Sequence, residues 1–316
     1  MRFSLWLPEA GGAASSIPFG SGSPDMAMPL PICYLNGSYL ALAEARVSPL
    51  DRAFLFADAV YEVVPIYASR LFRLREHLDR LNRSLAGIRM PAPLSHPEWA
   101  LVGRELIARN SANDAYLYLQ VTRGAELGRN HAWPEGLKPT LFSYVTALEP
   151  VPRSFIDRGV SALTAADTRW ARRDIKSTAL LANILLKKLS AEAGAFETIL
   201  LENGELTEGS STTVHVVKDG VIHTPPNGHR ILPGTTRDVV TELAARLNLR
   251  CVTGRITEAE LRAADEIWLA FATRGVLPVT TLDGAAVGTG KPGPLFDRMH
   301  AAFADYTREL AGTPPL

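Results

Sequence analysis

Two periods of apolar spacing alternate along the chain from residue 31 onward. From Arg75 to Leu85, Leu78, Leu81 and Leu85 recur at helical spacing with charges between them, which predicts an amphipathic helix. Trp99 to Arg109 predicts a second. The β-branched and aromatic runs Val60 to Tyr67, Ala115 to Arg123 and Thr140 to Leu148 read as strands. Ahead of them, Ile32–Leu35 and Ser38–Leu40 flank Asn36-Gly37, a pair that supplies the positive φ of a tight hairpin turn. Glu149-Pro150-Val151-Pro152 then interrupts all periodicity. Its two prolines predict a linker over 149–156, between a smaller domain over 31–148 and a second domain over 157–316.

Beyond the linker, Thr178 to Ala193 reads as one long helix rich in leucine and alanine. Phe196 to Thr224 reads as short strands joined by Glu202-Asn203-Gly204 and Lys218-Asp219-Gly220, each with glycine where a turn needs positive φ. Thr235 to Leu247 is a clear amphipathic helix, Thr257 to Ala264 a short one, Glu266 to Phe271 a strand, and Phe296 to Leu310 a closing helix. No internal repeat appears, so the pattern is α+β in two lobes. Residues 1–30 fit neither period. Gly11 to Pro24 is Gly, Ala, Ser and Pro rich and uncharged, and Phe3–Leu7 is shorter than the roughly 7–15 apolar residues of a signal peptide. A disordered extension is expected there.

Composition adds limits more than detail. The 316 residues suit about two domains of roughly 100–200 residues each, and 47% hydrophobic with 21% charged residues is an ordinary globular balance. Thirty-three basic and 33 acidic side chains cancel, leaving no bulk field to attract nucleic acid or an anionic membrane. Cys33 and Cys251 are too few for a disulfide framework and lack metal-ligand spacing, and no apolar run nears the ~20 residues of a membrane span. A cytoplasmic protein is expected.

Four segments carry candidate chemistry. Lys176, beside Ile175 and at the head of the predicted long helix, would be a usable amine nucleophile if partly buried, although a lysine near Arg172 and Arg173 is more commonly a solvated charge. In Glu208-Gly209-Ser210-Ser211-Thr212-Thr213, small residues let backbone approach a ligand and Glu208 suits a cationic ring nitrogen; a plain Ser/Thr turn is the common alternative. Gly234-Thr235-Thr236-Arg237 precedes a helix, where free amides and two hydroxyls suit a phosphate, against simple N-capping by threonine. In Gly128-Arg129-Asn130-His131, an extended backbone would set Arg129 and His131 on one face as a carboxylate fork; otherwise this is an exposed polar loop.

As an ordered set these residues say more than any one of them. Asp174-Ile175-Lys176-Ser177, Glu208-Gly209-Ser210-Ser211 and Gly234-Thr235-Thr236-Arg237-Asp238 are supported by Asp58-Ala59-Val60-Tyr61-Glu62-Val63-Val64 and His77-Leu78-Asp79-Arg80-Leu81. Together, over residues 32–313, they resemble the fold-type IV pyridoxal-phosphate enzymes, the class IV aminotransferases, and within them the D-amino-acid branch. The resemblance implies a two-domain α+β fold, with a smaller α/β N-terminal lobe and a larger C-terminal lobe built on a pseudo-barrel of strands. It implies pyridoxal 5′-phosphate carried on Lys176, which also moves the substrate proton, with Glu208 against the pyridine nitrogen. Arg80, Ser211, Thr235 and Thr236 would surround the phosphate, and Leu232, Ala272 and Thr273 complete the cofactor set. Tyr61, Arg129 and His131 would trap the substrate carboxylate, which points to a D-amino acid donor, a 2-oxo acid acceptor and ping-pong kinetics in a homodimer.

The chain departs from the family pattern at Thr213, where asparagine is usual, at Ala272, where a hydroxyl is usual, at Arg274, an added charge, and at Ala57 and Ala59, usually glycines. Branched-chain L-aminotransferases, (R)-selective amine transaminases and aminodeoxychorismate lyases are the rival activities on this fold. The Arg129-x-His131 pair argues against the first two.

Overall fold

The computed structural model describes residues 28–312; residues 1–27, most of the predicted extension, lie outside it. The strand β1 (Pro29–Leu35) pairs with β2 (Ser38–Ala41) through the predicted turn, with Leu35 opposite Ser38 and φ of 49° at Asn36 and 93° at Gly37. The short helix α1 (Arg52–Phe56) carries too few residues to show a period. It is defined by its ends: the Asp51 carboxylate accepts the Ala53 N–H at 2.8 Å, and Ala57 closes it in the left-handed conformation, φ 55°.

Then follow β3 (Ala59–Tyr67), β4 (Arg70–Leu71), α2 (Leu74–Gly87), α3 (His96–Asn110), β5 (Ala115–Thr122) and β6 (Thr140–Ala147). The six strands form one antiparallel sheet in the order β2-β1-β6-β5-β3-β4. Leu78, Leu81 and Leu85 of α2 and Trp99 and Leu106 of α3 bury against Val64, Leu117 and Leu119 of that sheet, which is what the helical spacing required.

The stretch 149–156 is without helix or strand only to Pro152; from Arg153 it forms a short helix, α4 (Arg153–Asp157), and then β7 (Val160–Ala166) opens the second lobe. The helix α5 (Leu181–Glu192) is shorter than the expected Thr178–Ala193 helix, because residues 176–178 lie along β3 instead. The Tyr61 N–H donates to the Lys176 carbonyl at 3.0 Å, the Thr178 N–H donates to the Ala59 carbonyl at 3.0 Å, and Ser177 faces Val60. An unpaired strand edge thus competes successfully with a first helical turn.

The remaining elements are β8 (Glu197–Glu202), β9 (Glu205–Gly209), β10 (Thr213–Lys218), β11 (Val221–Thr224), α6 (Thr235–Arg246), β12 (Cys251–Thr253), α7 (Glu258–Arg262), β13 (Glu266–Phe271), β14 (Gly275–Leu282), β15 (Ala285–Ala286) and α8 (Pro294–Gly312). The sheet runs β12-β11-β10-β13-β14-β7-β8-β9, with β15 beside β14. Flat, it would set β9 and β10 five strand spacings apart, about 24 Å. The chain joins them through residues 210–212, a reach of at most about 15 Å. The sheet must therefore curl on itself, as the expected pseudo-barrel does.

Alternation along β10 and β13 buries both faces. Val214, Val216, Ile267 and Leu269 meet the α4 and α7 side, while Val217 and Trp268 meet Val239, Val240 and Leu243 of α6 and Phe296 and Met299 of α8. Phe72, from the first lobe, enters the second of these cores, its ring 5.5 Å from that of Tyr306. No helix among the described residues is long and apolar enough to cross a membrane, and no group of His, Cys, Asp and Glu among them could hold a metal ion.

Candidate active site

A cavity of about 360 Å³ opens where the β9–β10 turn, the 167–180 loop, the start of α6 and the β3 strand meet, and Lys176, Tyr61, Arg80, Glu208, Ser211, Leu232, Thr235, Thr236 and Ala272 all line it. Lys176 is held from the first lobe: its N–H donates to Ser84 Oγ at 3.1 Å, and its carbonyl is bound by β3. Its Nζ stands 4.3 Å from the centre of the Tyr61 ring. Tyr61 and Val63 share one face of β3, as strand alternation requires, and both line the cavity.

Glu62 points the other way, fully buried against α2. It takes the Arg80 fork at 2.7 Å (Nε) and 2.8 Å (Nη2), and His77 Nδ1 lies 2.8 Å from the same carboxylate. Burial raises the Glu62 proton affinity, but the Arg80 charge and fork and the His77 contact outweigh it and hold the carboxyl well below the usual range. Burial pushes His77 down. Arg80 also donates through Nη1 to the Pro233 carbonyl at 2.9 Å. A guanidinium has five N–H groups, so this arrangement leaves Arg80 with two donors to offer.

The segment 232–236 connects two ends of the cavity. Its Leu232 N–H donates to the Glu208 carboxylate at 3.1 Å, its Pro233 carbonyl binds Arg80, and its Thr235 and Thr236 begin α6. Gly234 is the N-cap and no side chain caps the helix, so the threonine hydroxyls are not used as caps. A Cβ on Gly234 would stand 2.6 Å from Thr213 Oγ1, so a side chain there would have to displace that hydroxyl; the unusual Thr213 packs directly under this turn. Thr212 Oγ1 is buried at the cavity wall without a protein partner.

Glu208 is buried, and Arg169 Nη1 donates to it at 2.5 Å. Burial raises the Glu208 carboxyl above its ordinary range, while the Arg169 charge and bond and the Leu232 N–H oppose that rise. Asp167 aims Arg169 by accepting its Nε at 3.0 Å and its Nη2 at 2.7 Å. Ser211 turns its hydroxyl to Glu197 Oε2 at 3.1 Å, and Ser210 donates to Glu197 Oε1 at 2.5 Å. Sequence reasoning missed Glu62, Arg169 and Glu197. The one available signal was that a buried Glu208 needs a cationic neighbour, which does not say where in the chain to look.

Three features singled out in the sequence stand apart from this cluster. Thr273 does not line the cavity. Arg274 lies over the rings of Phe155 and Phe196, at 6.0 and 5.9 Å, and not at the cavity wall. Arg129 and His131 are exposed on an irregular loop without the extended pairing that would align them, gathered around Phe56 and outside this cavity.

The donor set fits a pyridoxal phosphate: an uncapped helix start with Arg80 at one end, a buried carboxylate at the other, an amine between, and the orphaned Thr212 hydroxyl in the wall. The amino-transferase class IV family model matches residues 59–282. The D-alanine aminotransferase of Bacillus licheniformis is 41% identical over 268 residues, 85% of this chain and 94% of that protein. Among solved structures, the branched-chain amino acid aminotransferase of Escherichia coli superposes with a TM-score of 0.82 at 27% identity, covering 87% of this chain and 94% of that one. The T.th. branched-chain amino acid aminotransferase, solved with pyridoxamine 5′-phosphate, gives 0.81 at 26%, covering 88% and 94%. A family match across most of the chain, on a fold and a cavity of this make-up, means that the chain belongs to the class IV aminotransferases.

Proposed function

We propose that the protein is a D-amino-acid transaminase, moving the amino group of a D-amino acid such as D-alanine to a 2-oxo acid such as 2-oxoglutarate by ping-pong turnover. The observation that carries this reading is the meeting of Lys176 Nζ, Glu208 and the uncapped α6 start in one cavity, in a chain 41% identical to a D-alanine aminotransferase. Pyridoxal 5′-phosphate, when bound, supplies the electron sink that stabilises charge on the substrate Cα. The chain's residues do the rest. Arg80 and the amides and hydroxyls of Thr235 and Thr236 would hold the phosphate, Glu208 would keep a proton at the ring nitrogen, and Leu232 and Ala272 would bound the ring site. Lys176 Nζ would take the proton from the donor Cα and pass it to C4′ of the cofactor, and in the second half-reaction would carry a proton back to one face of the acceptor Cα. Tyr61 borders the substrate.

Arg129 and His131 bind the substrate carboxylate from a second copy of the chain, in a cytoplasmic homodimer. Two features support this. Leu181, Ile184, Leu185 and Leu189 form an exposed stripe on α5, and Phe54, Leu127 and Trp133 are exposed on and beside the Arg129 loop. The same reading divides the chain into a small domain, a linker over 149–156 and a cofactor-binding domain. A branched-chain L-specificity is the second reading, favoured by the solved structures it superposes on.

The test is the visible absorbance of the purified, cofactor-loaded protein. Bleaching by D-alanine alone, restored by 2-oxoglutarate, is expected. A response to L-alanine or branched L-amino acids in its place would overturn the D-specific reading, and failure to take up pyridoxal 5′-phosphate would overturn the role of Lys176.

A further inference from the structure

The loop that carries Arg129 and His131 has no ladder of its own; it is tied down by an Asp51–Ala125 bridge, by Arg123 stacked 4.0 Å from the Trp133 ring centre, and above all by Arg52. Arg52, on α1, is 3% exposed and spends its guanidinium on that loop. Its Nη1 donates to the Asn130 carbonyl at 2.7 Å and to Glu126, and its Nη2 donates to the His131 carbonyl at 3.1 Å. Its Nε donates to Asp58 Oδ2 at 2.9 Å, and Arg123 Nε reaches the same oxygen at 2.7 Å. One helical turn after Arg52, the Phe56 ring lies under the loop side chains: Arg52 Cζ is 4.7 Å from its centroid, Arg129 Cζ 4.9 Å, and the His131 ring centre 5.4 Å. The charges close around Arg52, since Arg52 and Arg123 are matched by Asp58 and Glu126. Arg129 is left as the surplus cation of the cluster, on its exposed side.

We infer that Arg52 and Phe56 are positioning residues for the substrate carboxylate site: Arg52 fixes the two carbonyls that flank the His131 Cα, and Phe56 is the platform on which Arg129 and His131 rest. This rests on the reading that Arg129 and His131 bind the substrate. A carboxylate fork must be held to a fraction of an ångström to be effective, and an irregular loop holds that accuracy only through such ties. Lysine cannot replace Arg52, because a single ammonium cannot reach Asp58, Glu126 and two carbonyls in one plane.

The test uses the full-length, cofactor-loaded enzyme with D-alanine and 2-oxoglutarate. R52K and F56L are expected to raise the KM for D-alanine about tenfold or more, with a smaller change in kcat, unchanged cofactor absorbance and faster hydrogen exchange over residues 126–133. F56Y, which keeps the ring, is expected to retain the wild-type KM. R129A is the control for the underlying reading, and R52K added to R129A is expected to raise KM less than about twofold further. An R129A enzyme with unchanged KM removes the carboxylate-site reading and this proposal with it. R129A impaired while R52K and F56L are normal overturns the positioning role alone, as does an R52K effect that persists at full size in the R129A background. If R52K does not fold, the F56L and F56Y pair decides by the same criteria.

Discussion

Glu208 and His215 are both buried, and burial favours the neutral form of each. For Glu208 the push upward is opposed by Arg169, a conflict that suits the proposed role of this carboxylate at a ring nitrogen. His215 has no such help. Neither ring nitrogen has a protein partner, and burial, with the Arg237 charge as a lesser cause, depresses it to about 3. Its unfolded value is near 6.5. A depressed folded-state value leaves stability intact above that unfolded value and removes it as pH falls from there toward 3, because only the unfolded chain takes up the proton. At pH 5 the loss from this group is about 2 kcal/mol relative to pH 7. Denaturant unfolding of His215→Leu beside wild type at both pH values should show the variant losing about 2 kcal/mol less; parallel losses would mean His215 is not the group responsible. At this scale Lys176, Glu208, Thr235 and Thr236 were legible because each sits in a short contiguous motif. Arg169 and Glu197 were not, since their partners lie 39 and 13 or 14 residues away in the chain and no periodicity links them.

At the scale of elements, α1 and α5 show where local pattern loses to context. Five residues cannot display a helical period, so α1 exists through its caps, and one of them is unfavourable: Ala57 adopts φ 55°, a conformation that costs a residue with a Cβ roughly 1–2 kcal/mol. Ala57→Gly should therefore stabilise the protein by about 1 kcal/mol, after the extra freedom glycine gives the unfolded chain, as read by urea unfolding. An unchanged or lower stability would show that α1 has adapted to the methyl group. The helix α5 begins later than its composition suggests because β3 offers residues 176–178 ladder bonds first. That competition lengthens the loop between the lobes on which Lys176 sits, separating it from α5. By contrast α6, Thr235–Arg246, starts at the predicted residue, since a glycine N-cap ahead of two threonines is a local signal.

The described residues form two sheets that meet at the Lys176 cavity, with apolar surface left over. The stripe Leu181, Ile184, Leu185 and Leu189 has the i, i+3, i+4 spacing of a helix face made to be covered. On the proposed dimer, replacing Ile184 and Leu185 together by aspartate should yield a folded monomer in analytical ultracentrifugation that has lost most D-alanine transamination, because Arg129 and His131 would then have no neighbouring cavity to serve. A fully active monomer would place the carboxylate site within one chain. By itself the sequence determined most helices and strands, the hairpin and glycine turns, and the three motifs that the fold brings to one cavity, because periodicity, turn chemistry and capping act over a few residues. Only the tertiary structure decided that Lys176 is pinned to β3, that Arg169 is the cation meeting Glu208, and that Arg129 and His131 lie outside their own cavity. Those outcomes depend on which distant groups compete for the same hydrogen bonds once the sheet has curled, and that competition is settled by packing across the whole chain.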